Sequence, residues 1–503
     1  MTPTLVNAPA RPIVRPTLER TPPNSAAVLA IILATYLMIV LDISVIIAAL
    51  PKIHSSLHFS STGLSWVQSA YTLTFGGLLL LGARAGDILG RRRMLIAGLA
   101  LFTAASLAGG LAPSAAWLLG ARAVQGIGAA IAAPSTLALL TTTFREGPER
   151  TRAIAYYSAV AGGGGSVGLV LGGMLTDWVS WRFGLFINVP VGLAVIALAP
   201  RYLPETAKRT GHFDLAGAVT STLGMTAVVY GFVRAASDGW AERWTVASFA
   251  AGAFLLVAFV LTETRAAQPI TPLHLFADRR RLGAYVARLL VVGGMFSTFF
   301  FLTQFLQGVR GYSPLQAGIA FLPMTAVMFT MGRIVPRLVL RLGNSTVLFA
   351  GLAIAVGGIA WLSRITAGTA YFPHIAIPLA LVGTGIGIAF APLTAAGIAG
   401  VAQADAGAAS GLLNVAQQLG ASLGLGILIT VFAAAGRDAA RHPVAGASAQ
   451  LEARHELAHS VATAVTGSAA FLALALAVAV VLMRPARTRR EALVEGAVVR
   501  AAG

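Results

Sequence analysis

AAVLAIILATYLMIVLDISVIIAAL, residues 26–50, is an apolar run with one acid, Asp42, set inside it. A helix that crosses a bilayer needs about 20 mostly apolar residues, and this run is long enough. It is too long for a signal-peptide core and more apolar runs follow it, so it is expected to remain in the chain. Further runs of the same kind are 64–83, 94–111, 114–138, 154–175, 184–200, 214–233, 245–262, 284–306, 315–336, 346–363, 374–396, 408–435 and 461–483. The expected fold class is therefore an all-α polytopic membrane protein with about fourteen transmembrane helices.

Composition agrees. Of 503 residues, 57% are hydrophobic and 11% charged, with mean hydropathy +0.79. A soluble domain is about a quarter charged. Too little polar surface remains to face water, so lipid must cover most of the chain. The absence of cysteine excludes disulfides, thiolate metal sites and cysteine nucleophiles. The net charge of +18 lies in short loops between apolar runs. That is the positive-inside pattern and not a nucleic-acid face. With a cytoplasmic N-terminus, inside segments carry about 25 Lys and Arg and outside segments about 9. Both termini are then cytoplasmic. The loop near Asp405 is the exception, having no basic residue.

The chain also repeats itself. Gly126-Ile127-Gly128-Ala129 in the fourth run returns as Gly385-Ile386-Gly387-Ile388 in the twelfth, and each is followed by a proline, Pro134 and Pro392. The fifth run, with Gly165, Gly168 and Gly172, and the thirteenth, with Gly420, Gly424 and Gly426, are both rich in small residues. Runs 1–6 thus match runs 9–14, with two runs inserted. Parallel six-helix repeats are a transporter design. The expected organisation is a disordered basic tail (1–25), a six-helix bundle (26–200), a linker with two extra helices (201–282), a second six-helix bundle (283–483) and a cytoplasmic tail (484–503).

Asp42 is the one acid deep in a run. A charge there costs about 2.5–3.5 kcal/mol on insertion scales, so it faces a cavity or a partner. Such an acid can gain and lose a proton as its surroundings open and close. Arg122 is the expected partner, because Arg122, Gln125, Gly126 and Ala129 share one helix face. A structural arginine bonded to carbonyls is the alternative. Asp87, Gly90, Arg91 and Arg92, after the second run, could form a charge latch at a helix end. Gly164, Gly165, Gly168, Gly172 and Gly173 make a glycine face for close helix packing. No Gly-Lys-Ser/Thr follows, so it is not a phosphate loop. Gln125, Gln304, Asn414, Gln418, Phe296 and Phe300 are candidate substrate contacts, each equally readable as packing. His455-Glu456-Leu457-Ala458-His459 matches a zinc-peptidase pattern. It falls in an expected outside loop of about two dozen residues with no surrounding domain, so no metal site is assigned and an enzyme is not expected.

Taken together these motifs resemble the major facilitator superfamily, in its fourteen-helix drug:proton antiporter branch, from about residue 26 to 483. Asp42 to Pro51 is similar to the first-helix motif. Asp87, Gly90 and Arg91 are similar to the loop motif, and Arg122, Gln125, Gly126 and Gly128 to the fourth-helix motif. The fifth-helix glycines are similar to the antiporter motif. Ile47, Ala83, Ile88 and Leu169 depart from it, standing where asparagine, glycine, a basic residue and proline are usual. The resemblance implies two bundles rocking about a central site, driven by a proton gradient with no cofactor. Asp42 would exchange the proton, Arg122 would tune it and the Asp87 loop would gate the inside.

The function expected is a proton-coupled exporter of hydrophobic or weakly cationic small molecules, acting as a monomer in a bacterial inner membrane. A single deep acid predicts poor transport of dications. The alternatives are a dedicated exporter of one endogenous product, a non-transporting receptor or scaffold, and a zinc protease.

Overall fold

The computed structural model describes residues 24–144, 148–206, 213–266, 269, 271–401, 405–442 and 448–483. Residues 1–23 of the expected first tail and all of the second lie outside them. Among the described residues every regular element is helical. Thirteen helices are long and apolar enough to cross a membrane. These are α1 Ser25–Leu57, α2 Gly63–Leu89, α3 Arg91–Gly110, α4 Ala115–Thr143, α6 Phe183–Tyr202, α7 Leu215–Asp238, α8 Arg243–Arg265, α9 Arg279–Val309, α10 Pro314–Leu342, α11 Asn344–Leu362, α12 Ala376–Ile398, α13 Ala408–Arg441 and α14 Ala449–Leu482. The remaining helix, α5, spans Pro148–Trp178, and its apolar part is counted only from Val167. Each expected run is thus a helix, as it must be where lipid offers no hydrogen-bond partners.

The helices overrun the apolar runs because hydropathy marks only the lipid-embedded part. The last connection is the largest correction. α13 continues to Arg441 and α14 begins at Ala449, so the expected loop of two dozen residues is mostly helix. Ser448 starts α14 by accepting from Leu451 N at 3.3 Å, and strong helix formers follow. His455 and His459 therefore lie on a helix.

The repeat is visible in the packing. A Cβ on Gly128 of α4 would approach Phe102 N of α3 to 2.6 Å, and one on Gly385 of α12 would approach Ala355 N of α11 to 2.4 Å. In each bundle the Gly-Ile-Gly element packs against the two preceding helices, but with the glycines exchanged: Gly126 abuts Tyr71 O of α2 and Gly128 abuts α3, whereas Gly385 abuts α11 and Gly387 abuts Met328 of α10. The α5 glycines pack on α1, and Gly420 and Gly424 of α13 pack on α9 at Leu289 and Gly293. The inserted α7–α8 hairpin covers the seam between the bundles. Its Thr222 abuts Gly77 of α2, and Ala236 O accepts from Arg437 Nη1 of α13 at 2.7 Å. α8 lies outermost, with Phe254 and Val257 exposed.

Successive helices alternate in direction, so the ends of α1, α5 and α9 share a face with the start of α10. We call this face distal and the face of the Asp87 loop proximal. The bundles meet tightly on the distal face. Gln307 Nε2 donates to Ala48 O at 3.0 Å. A Cβ on Gly173 would come within 2.4 Å of Pro314 O, and one on Gly318 within 2.5 Å of Leu169 O.

Candidate functional site

The α1–α6 bundle closes around Asp42, which is 1% exposed, and Arg122, which is 0% exposed. Arg122 Nη1 donates to Asp42 Oδ2 at 2.5 Å. Gln125 Nε2 and Asn188 Nδ2 both donate to Asp42 Oδ1, at 2.7 and 2.9 Å. Both carboxylate oxygens are thereby hydrogen-bonded, and burial keeps the carboxylate from any ligand in this conformation. The guanidinium is equally committed. Its Nε donates to Val67 O at 3.0 Å, Nη2 to Gln68 Oε1 at 3.0 Å and Nη1 also to Gln125 Oε1 at 2.6 Å. It lies 4.4 Å over the Tyr71 ring. The Tyr71 hydroxyl is buried with no hydrogen-bond partner.

A buried ion pair is stable only when its remaining donors and acceptors are satisfied. Here α1, α2, α3, α4 and α6 each contribute a group, Ser106 of α3 accepting from Gln125 Nε2 at 2.8 Å. Gln125, expected at the substrate, belongs to this cluster. Asn188 was not anticipated. Its signal was an amide inside the apolar run 184–200, which depth alone did not connect to Asp42.

The α5 glycine face lies directly behind the acid. Cβ atoms on Gly168 and Gly172 would meet Ser44 Cβ at 2.7 Å and Val45 Cα at 2.5 Å, and one on Gly164 would meet Val40 Cγ1 at 3.0 Å. Gly165 faces Ser44 Oγ at 3.5 Å. Gly173 instead reaches across to α10. The glycines thus serve α1 at the level of Asp42 and, at their far end, the contact between bundles.

At the proximal loop, Arg91 pairs with Asp87, and Gly90 turns the chain with φ 107°. The group not foreseen is Glu205, just after α6. Its Oε1 accepts from Arg92 N at 3.1 Å, while Oε2 lies 3.7 and 3.8 Å from Arg92 and Arg93 Nε. Arg92 Nη1 also donates to Leu203 O at 3.1 Å. An acid at the start of α3 meets both the positive end of the helix and the arginines. The loop is thereby tied to α6 of its own bundle.

The C-terminal candidates are not gathered in one place. Gln304 and Asn414 stand at very different depths along α9 and α13, which run the same way. Gln304 Nε2 is buried without a partner. Asn414 is exposed and donates to Ser410 O at 3.3 Å. Gln418 packs against Gly76 of α2. Phe296 is buried, and Phe300 is fully buried edge-to-face on Phe301. His455 and His459 line an open cavity of about 330 Å³ with Asp438, His442, Glu452 and Glu456. No three metal-ligand side chains among the described residues are placed to hold an ion.

Comparison with known proteins agrees with this architecture. Residues 32–425 match the Major Facilitator Superfamily. The chain is 43% identical to the cephamycin export protein CmcT of Amycolatopsis lactamdurans, over 82% of this chain and 86% of that one. It is 42% identical to the puromycin resistance protein pur8 of Streptomyces alboniger, over 80% and 81%. Its fold is similar to the inward-facing, unoccupied structure of a bacterial homologue of the human lysosomal transporter Spinster, with TM-score 0.64, 17% identity and coverage of 92% and 97%. The chain belongs to the Major Facilitator Superfamily and is a multi-pass membrane transporter of small molecules.

Proposed function

We propose that this transporter exports hydrophobic small molecules, antibiotics among them, in exchange for protons across a bacterial cytoplasmic membrane. The termini and the Asp87 loop lie on the cytoplasmic side, and the chain works as a monomer. The observation that carries the reading is the Asp42 cluster: one acid, fully enclosed and hydrogen-bonded, at the junction of five helices of one bundle. Rocking of the bundles changes which side reaches that acid. Protonation from outside neutralises it, releases Arg122 and Gln125 and favours the return. Each pH unit supplies about 1.36 kcal/mol per proton, and a ~100 mV potential about 2.3 kcal/mol per charge moved. The Asp87–Arg91 pair and Glu205 hold the cytoplasmic end of α3 during that motion.

Two relatives carry names tied to antibiotics, which supports export of such compounds. Each is named for a single antibiotic, so a dedicated exporter is the second reading. Substrate breadth in a drug panel separates the two. The mechanism is tested by purified protein in liposomes under an imposed pH gradient. Wild-type protein should move a hydrophobic antibiotic against its gradient, and Asp42→Asn should insert normally but lose the pH-driven component. Full, pH-dependent transport by Asp42→Asn would remove Asp42 as the coupling residue.

A further inference from the structure

The second bundle buries a cation that has no carboxylate. Arg288 of α9 is 8% exposed. Its Nη2 donates to Gln417 Oε1 of α13 at 2.8 Å, and Nη1 lies 3.5 Å from Thr394 Oγ1 of α12. The guanidinium carbon sits 3.8 Å over the Phe390 ring. Nε is buried and has no acceptor. Among the described residues no acid pairs with it, and the ionisable side chain near enough to act on it is the Tyr36 phenol of α1, in the opposite bundle, which is neutral. Tyr36 is stacked on Tyr157 of α5 at 4.0 Å.

Depth places these groups together. Arg288, Gln417, Tyr36 and Tyr157 each lie roughly 13–17 Å in from the proximal end of their helix, at about 1.5 Å per residue. They lie nearer the proximal side than Asp42, which is about 25 Å in by the same measure. A charge so enclosed is costly unless an opposite charge reaches it, and in a low dielectric the pairing is correspondingly strong. Arg122 has Asp42 beside it, whereas Arg288 has amide, hydroxyl and aromatic neighbours and no anion. Those neighbours suit an aromatic or lipophilic molecule with one acidic group.

We propose that Arg288 is the anchor for a carboxylate, or a comparable single anionic group, on an otherwise hydrophobic substrate. The acid binds Nε and Nη of Arg288, Phe390 flanks the guanidinium and the Tyr36–Tyr157 stack borders the lipophilic body. This rests on reading the chain as an exporter and adds the charge of what it exports. The two bundles then divide the ionic work: the first handles the proton and the second the substrate anion.

The probes are three matched compounds: 1-pyrenebutyrate, its methyl ester, and pyrenylbutyl-trimethylammonium. Uptake is measured with the full chain in liposomes under one pH gradient, and binding by fluorescence on the same preparation. Wild-type protein is expected to prefer the acid over the ester and over the cation by at least tenfold. Arg288→Gln should collapse the acid-to-ester ratio at least tenfold, and Arg288→Lys should restore part of it. Wild-type protein that moves acid and ester equally, or prefers the cation, overturns the anion anchor while the exporter reading stands. A preserved ratio in Arg288→Gln overturns it as well. Wild-type protein that neither moves nor binds any of the three overturns the anchor, while the exporter reading is decided by the antibiotic assay above. Because the wild-type preference is decisive alone, an Arg288 variant that fails to fold does not shelter the idea.

Discussion

Arg122 Nη1 and Asp42 Oδ2 meet at 2.5 Å with both side chains at 0% exposure. Removing one member of such a pair leaves an uncompensated charge, at about 3–5 kcal/mol. We expect Arg122→Ala to lower the thermal midpoint of the purified protein sharply, and Asp42→Leu/Arg122→Leu to recover much of the loss without recovering transport. A double variant less stable than Arg122→Ala would mean that charge compensation is not what the pair provides.

Glu205 caps α3 and faces Arg92 and Arg93, all of them partly exposed. An acid at a helix start contributes about 0.3–1 kcal/mol, and salt screens it. Glu205→Gln should reduce stability by that order at low ionic strength and by less in ~1 M salt. An unchanged midpoint at low salt would show that the contact contributes nothing.

Gly90 has φ 107° and its missing Cβ would lie 2.7 Å from Glu205 Oε1. Gly90→Ala combines backbone strain of about 1–3 kcal/mol with loss of that cap. It should therefore destabilise more than Glu205→Gln does, which denaturation of the two purified variants decides.

The distal seal admits no side chain at Gly173. Gly173→Val should disfavour the sealed arrangement by about 1–3 kcal/mol, a five- to 150-fold shift in population. The chain has no native cysteine, so Ala48→Cys is a clean reporter within the seal. Its labelling from the distal side should rise at least fivefold in the Gly173→Val background. Equal labelling in both backgrounds would place the barrier elsewhere.

His455 and His459 face a shared cavity, yet no three metal-ligand side chains among the described residues can hold an ion. Treatment with EDTA should leave the thermal midpoint unchanged. A midpoint that fell with EDTA and returned with zinc would reveal a metal that these side chains hold.

The number and order of helices were legible because apolar length reports directly on lipid. So was the Asp42–Arg122 pair, since the one acid deep in an apolar run has few arginines within the runs to meet, Arg122 and Arg288 among them. Asn188 and Glu205 were not legible as partners. A sequence reveals how deep Asn188 lies but not which way it faces around its helix, nor where Glu205, just past the end of α6, is carried; both reach partners on other helices of the bundle. Gln304 and Asn414 were grouped by polarity although their depths differ. The His455 motif was assigned to a loop because polarity hides a helix once it leaves the membrane.

The seal between Gly173 and Pro314, Gly318 and Leu169, and Gln307 and Ala48 contains nothing that ionises. It is therefore indifferent to acidity and to voltage, and responds only to the tilt of the bodies it joins. On the proposed mechanism energy conversion is left to the enclosed acid, so the barrier could be tightened or loosened by small changes of shape while Asp42 and its partners stay untouched. In an Asp42→Asn background, the labelling rate at Ala48→Cys, normalised to that of a free thiol at each pH, should accordingly lose its dependence on pH. A rate that still followed pH there would place a second titrating group in the closure.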